Sequence, residues 1–157
     1  MRDVITRRAD LWDVLKISHR LRAEDERELQ AAHPTRCVRG VLKEAWEKSQ
    51  GACWLLYTTA DEQNPILLFG CVTVRGEFTR VGVPWMVATP EVGRHAISVI
   101  REARQWFRAW SWWNNHHILM NHVEVRNTLH VRWLDLIGVS WGDPVKRNGI
   151  EVVPFYY

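Results

Sequence analysis

Apolar residues recur at helical spacing through the first third of the chain and at strand spacing after it. Asp3 to Thr6 reads as a short strand. Asp10 is suited to cap a helix carrying Leu11, Val14, Leu15 and Leu21. Ala23 to Ala32 predicts a second, mostly charged helix, stopped at His33-Pro34 because proline disfavours helical backbone in the residue before it. Val38 to Ser49 predicts a third, with Val41, Leu42, Ala45 and Trp46 on one side and Gly51 beyond its end.

At Cys53 the period changes. Cys53 to Thr58 and Ile66 to Val74 are β-type runs separated by the polar turn Asp61 to Pro65, which predicts an antiparallel hairpin. A third strand follows Arg75-Gly76 and is most apolar over Val83 to Ala88, where Pro84 points to a bulge or a sheet edge. Thr89-Pro90-Glu91 then supplies a cap, a first-turn proline and an acid near the positive helix end, starting a helix that runs to about Trp112. Its inner stripe is Ala96, Val99, Ile100, Ala103, Phe107 and Trp110. Arg94, Arg101, Arg104 and Arg108 gather on the other side.

Ile118 to Val125 predicts another strand, and Asn127 can cap a short helix carrying Leu129, Trp133, Leu136 and Ile137 before Gly138 stops it. Val139 to Trp141, a turn at Arg147-Asn148-Gly149 and Ile150 to Tyr157 close the chain as a hairpin. The succession predicts an α+β fold in one domain spanning residues 1–157.

Composition narrows the function classes. At 157 residues with 46% hydrophobic and 25% charged residues the chain can bury one core, and no apolar run is long enough to span a membrane. A soluble protein is expected. Met1 to Arg8 lacks the apolar stretch of a signal peptide, so an intracellular location is expected. Cys37, Cys53 and Cys71 have no metal-ligand spacing, and His116, His117 and His122 form no chelating pattern, so neither a disulfide framework nor a metal is expected. The net charge is +3, but in residues 1–60 eleven Lys and Arg alternate with nine Asp and Glu, which gives nucleic-acid binding no support. Ten Trp residues are the outlier. Trp106, Trp110 and Trp113 fall at the spacing of a packing seam, leaving Trp112 and Trp141 as candidate exposed anchors for a partner protein.

The order of elements, together with Val123 to Gly138, in which Asn127 opens a helix and Gly138 closes it, resembles the GNAT acetyltransferase superfamily. Asn127-Thr128, His130, Arg132-Trp133-Leu134 and Ile137-Gly138 are similar to the internal virion protein A family of T7-like podophages, and the similarity extends more weakly back through Pro84 to Thr89. The resemblance implies a GNAT-like, mixed and mostly antiparallel twisted sheet flanked by helices. It implies a phage late protein acting through other phage proteins in virion assembly in the host bacterial cytoplasm, with presence in the finished virion left open. A host protein is the alternative partner.

GNAT enzymes share an Arg/Gln-x-x-Gly-x-Gly/Ala loop, whose N–H groups hold the cofactor pyrophosphate at a helix N-terminus. With Gly93 as the first glycine, Pro90 stands for the leading Arg or Gln and His95 for the second small residue. In many of these enzymes a Tyr seven positions after the Asn acts as general acid; here it is Leu134, which donates no proton. Tyr156 and Tyr157 lie at the chain end. The expectation is therefore a binding protein without a cofactor. Arg94, Arg101, Arg104, Arg108 and Trp112 are its candidate partner surface, and Trp85, Met86, Met120 or Trp133 are expected to fill the cleft of the fold.

The alternative is an acetyl-CoA-dependent N-acetyltransferase. Val87, Ala88, Gly93, Arg94 and Asn127 would then hold the cofactor, with His122 or Glu124, which share strand parity, as general base. Glu91 near the cleft is a further base candidate, and Cys71 a weak nucleophile candidate.

Overall fold

The computed structural model describes residues 4–49, 51–113 and 115–157; the Asp3 start expected for the first strand and the Trp113 side chain lie outside what it describes. The elements are β1 (Val4–Arg8), α1 (Leu11–Ile17), α2 (Ala23–Ala32), α3 (Val38–Lys48), β2 (Cys53–Thr58), β3 (Leu67–Arg75) and β4 (Arg80–Ala88). A 3-10 turn, Pro90–His95, leads into α4 (Ala96–Trp113). Then come β5 (Ile118–Glu124), α5 (Thr128–Ile137), β6 (Ser140–Trp141), β7 (Val145–Arg147) and β8 (Ile150–Tyr156).

The strands form one sheet in the order β1-β2-β3-β4-β5-β8-β6, with β7 also on β8. Every pairing is antiparallel except β4 with β5. This is the α+β fold that the sequence pattern predicts, with the mixed, mostly antiparallel sheet flanked by helices that the resemblance implies.

Alternation along β2 separates two cores, because successive side chains of a strand point to opposite faces. Leu55 joins Val14, Ile17, Leu42, Leu68 and Val87 under α1 and α3. Leu56 joins Phe69, Val99, Phe107, Leu119, Val123 and Trp133 under α4 and α5. Each fully buried aliphatic side chain stabilises the fold by about 1.5–3 kcal/mol. Most of the tryptophan excess goes the same way. Trp54 and Trp106 have ring centroids 4.4 Å apart, and Trp106 lies 6.2 Å from Trp110. Trp141, a candidate anchor, instead packs edge-on to Phe155 and donates its indole N–H to Asp135 at 3.3 Å.

Local chemistry sets the ends of the elements. Asp10 and Asp13 form a reciprocal capping box at α1. Gly138 ends α5 at φ 98°, and Asn148-Gly149 turn between β7 and β8 at φ 46° and 83°. Three expectations need correction. Thr89 caps no helix with its side chain; its hydroxyl reaches the Ile66 carbonyl and the Glu91 carboxylate instead. Asn127 also stands at a cap position without a side-chain cap bond, because its amide is drawn into a buried network described below. Pro84 makes no bulge: the β3–β4 register runs unbroken through Cys71 and Pro84.

The β4–β5 pairing is short. Val81 faces Ile118 and Gly82 faces Leu119, and past these pairs the strands part. Pro84 is tolerated because its missing N–H faces this gap, where no ladder bond is lost.

Candidate functional site

Backbone alternation decides which groups of β4 face the gap. Thr89 donates its N–H to Ile66 on the β3 side, whereas Ala88 donates its N–H to Asp25 Oδ2 on the other side at 2.7 Å. Four residues earlier, in the same parity, the Pro84 carbonyl accepts from Asn121 Nδ2 across the gap at 2.8 Å. Met86, between them, therefore turns its N–H and C=O into the gap as well.

A cavity of about 840 Å³ occupies this space and is lined from both faces of the sheet, by Glu28, Trp85, Met86, His122, Val99 and Leu134 among others. The expectation that large side chains fill the cleft is thus corrected. Trp85 lies flat against Gly70 of β3, where even a Cβ would come within 2.9 Å of its ring, and its indole N–H is held by Ser49 at 3.0 Å. Trp133 is fully buried in the α4–α5 core, next to His130. Met86 lines the cavity without closing it.

The far end of the gap is closed by α2. Arg22 donates its backbone N–H to the Ala88 carbonyl at 2.9 Å, so both backbone groups of Ala88 are engaged. Asp25 pairs with Arg22 at 2.5 Å. Asn127 donates to Asp25 at 3.2 Å and to Glu28 at 3.0 Å, and its Oδ1 accepts from Arg22 at 3.2 Å. His130 Nε2 lies 2.9 Å from Arg22 Nη2, which can only donate, so this nitrogen is unprotonated. Burial agrees, pushing the His130 pKa down to about 4. The cluster is buried and satisfied from within.

Three titratable side chains face the cavity from its α2 side. Glu28 Oε1 accepts the Glu124 N–H at 2.8 Å, and burial raises the Glu28 pKa to about 7. His122 is held below its usual range by burial and by the charge of Arg147, so it is neutral at pH 7. Glu124 shares the His122 face, but its carboxylate is 2% exposed and both oxygens accept from Arg27, at 2.8 and 3.1 Å.

Just beyond the Ala88 end of β4, Gly93 has open space where a Cβ would stand, and Arg94 is exposed. The Thr89 hydroxyl donates to Glu91 and, with the Arg20 guanidinium 3.3 Å away, holds its carboxyl below the ordinary range. Val87 points its side chain into the α1–α3 core and its backbone toward β3. The Cys71 thiol is buried and pushed up to about 12, so it is not a nucleophile at neutral pH.

Arg101, Arg104 and Arg108 line a shallow groove on α4 with Ile97 and Leu136. Arg104 is anchored by the Leu136 carbonyl at 2.5 Å. Ile97 is 76% and Trp112 85% exposed along this helix.

Residues distant in sequence supply what sequence spacing did not reveal: Glu28 on α2, the backbone of Met86, and Lys146 and Arg147 on β7. A charged helix surface gives no sign that one of its acids turns inward. The free side of a strand is visible only when its neighbour's departure is known.

No family model and no curated protein matches the chain. Solved structures do. A GNAT-family acetyltransferase from Bacillus anthracis superposes with TM-score 0.70 at 10% identity, over 99% of this chain and 94% of that one. The ribosomal-protein-S5-alanine acetyltransferase from Vibrio fischeri gives 0.72 at 14% identity, over 100% and 93%. The spermidine N-acetyltransferase from Vibrio cholerae, in complex with CoA and spermine, gives 0.67 at 17% identity, over 99% and 95%. The fold is therefore the GNAT acetyltransferase fold.

Proposed function

We propose that the protein is an acetyl-CoA-dependent N-acetyltransferase that uses the gap between β4 and β5. The observation that carries this reading is the open cavity of about 840 Å³, with Glu28 on its wall. The expected binding protein without a cofactor would have no reason to keep such a space. The acetyl-CoA-bearing arm fits a slot whose one side offers the free N–H and C=O of Met86, since an amide-containing chain can bond there as a missing strand would. Acetyl-CoA supplies the acyl group as a thioester.

The chain's own residues then have definite tasks. Glu28 takes the proton from the attacking amine, directly or through one water, because a base with a pKa of about 7 is part-ionised at neutral pH. Its Oε1 is occupied by the Glu124 and Asn127 N–H groups, which fix the carboxylate and leave Oε2 for the proton. His122, neutral on the same wall, serves as a second acceptor. Leu134 donates nothing, so the leaving thiolate takes its proton from water. The helix start fits the phosphates less well: Pro90 has no N–H to offer and the Glu91 carboxylate is fixed close by, leaving Arg94 and the open face at Gly93 for them. Mass-spectrometric detection of acetylated amines in a mixed acceptor panel tests this reading; no acetylated product with acetyl-CoA at millimolar concentration ends it.

A second reading is favoured by the α4 surface. Exposed Ile97 and Trp112 beside Arg101 and Arg108 suit docking on another protein, and the resemblance to a podophage virion protein supports a partner met during assembly in the host cytoplasm or in the virion. Affinity purification from infected cells separates virion partners from host ones. Loss of the captured protein on Trp112→Ser is the expected result.

A further inference from the structure

The tip of the β7–β8 hairpin contacts α2. Asn148 at its tip donates Nδ2 to the Ala31 carbonyl near the end of α2 at 2.5 Å. This bond pins the hairpin against α2 and makes Lys146 and Arg147 part of the cavity wall, with His33, Arg36 and Lys48 also on its lining.

Charge at this mouth is unbalanced on its α2 and β7 side, Glu102 being the one further acid among the described lining residues and standing on α4. Arg36 and Lys48 share one acid, Glu44. Asp25 is matched by Arg22, and Glu124 by Arg27. Glu28 is only part-ionised at neutral pH. Glu151 stands opposite Lys146 in the ladder, yet among the described residues neither Lys146 nor Arg147 makes an ion pair. The charge of Arg147 reaches His122 inside the cavity. A positive mouth repels an ammonium ion and favours the neutral, nucleophilic amine, while it attracts an anion on the same molecule.

We infer that the acceptor is an amine bearing an anionic group, a carboxylate or a phosphate, which Arg147, on the His122 face of the hairpin, holds at the mouth while the amine faces Glu28. The inference rests on the acetyltransferase reading. It names the substrate class for that site.

Two readouts test it on the full chain. In the first, without acetyl-CoA, the His122 ring is titrated by NMR in the presence of glutamate, glucosamine 6-phosphate or putrescine. An anion beside Arg147 offsets its charge, so a saturable upward shift of the His122 pKa by about half a unit is expected with at least one anionic amine. Whether glutamate or glucosamine 6-phosphate acts decides between carboxylate and phosphate. Arg147→Gln is expected to abolish the response. A response to putrescine, or to neither anion, overturns the inference. In the second, kcat/KM with acetyl-CoA is compared across the three amines. A preference for an anionic amine of about tenfold or more over putrescine, reduced by Arg147→Gln through KM, is expected. Turnover that favours putrescine overturns the inference and leaves the acetyltransferase reading standing. If acetyl-CoA does not bind at all, that reading fails, and the NMR titration alone decides whether the mouth selects anions.

Discussion

Glu28 accepts the backbone N–H of Glu124 at 2.8 Å, so a carboxylate on α2 does for the end of β5 what a paired strand would do. Asp25 does the same for Ala88 at the end of β4. The two acids keep the strands apart while satisfying the backbone groups that their separation exposes. The middle of the gap, at Met86, is left for a ligand.

Glu28→Gln keeps an oxygen that can accept these N–H groups but removes the base. The kcat of acetyl transfer is expected to fall by about 10²–10⁴ with little change in acetyl-CoA affinity. In the unmodified protein kcat/KM is expected to rise with pH through about 7, the pKa of Glu28. Steady-state kinetics from pH 5.5 to 8.5 check both points.

The same group makes stability depend on pH. Its folded pKa of about 7 lies above the ordinary 4.5, so the native state keeps the proton that the unfolded chain has already lost. The contribution is full below about 4.5 and is lost as pH rises through about 7. Urea denaturation should show this decline, amounting to about 1–2 kcal/mol after solvent screening at a half-buried site. The decline should be absent in Glu28→Gln.

Asp25→Ala leaves Arg22 buried without its counter-charge and frees the Ala88 N–H. A loss of about 3–5 kcal/mol is expected, because breaking a buried pair from one side strands the other charge. Thermal unfolding followed by circular dichroism checks it.

Gly82 belongs to the last β4–β5 pair before the gap. A Cβ there would meet Leu119 and would stand 2.8 Å from His116 Nδ1. Gly82→Ala is expected to cost about 1–3 kcal/mol by overpacking. The same denaturation measurement reads it, with an unchanged Tm as the contrary result.

Elements governed by local rules were legible in the sequence. β2 is found at Cys53–Thr58 and α2 at Ala23–Ala32, and the turn at Asn148-Gly149 and the stop at Gly138 stand where their chemistry predicts. The site was less so, because its parts are joined by contacts across about a hundred positions, such as Glu28 with Asn127 and Asn148 with Ala31. Asn127 shows why: in sequence it reads as a helix cap, but in the fold its amide bonds Asp25 and Glu28 on α2 and Arg22 just before it. Trp85 misleads in the opposite direction. It is large enough to fill the gap, but only the glycine at position 70 on the next strand shows where its ring can lie instead.

Isothermal titration of acetyl-CoA into the protein tests the central claim most directly. The account predicts saturable binding with a Kd in the roughly micromolar to millimolar range usual for substrates. It also predicts binding retained in Glu28→Gln and weakened by Gly82→Ala where the gap is disturbed. No heat up to millimolar acetyl-CoA, from protein shown by circular dichroism to be folded, would contradict it.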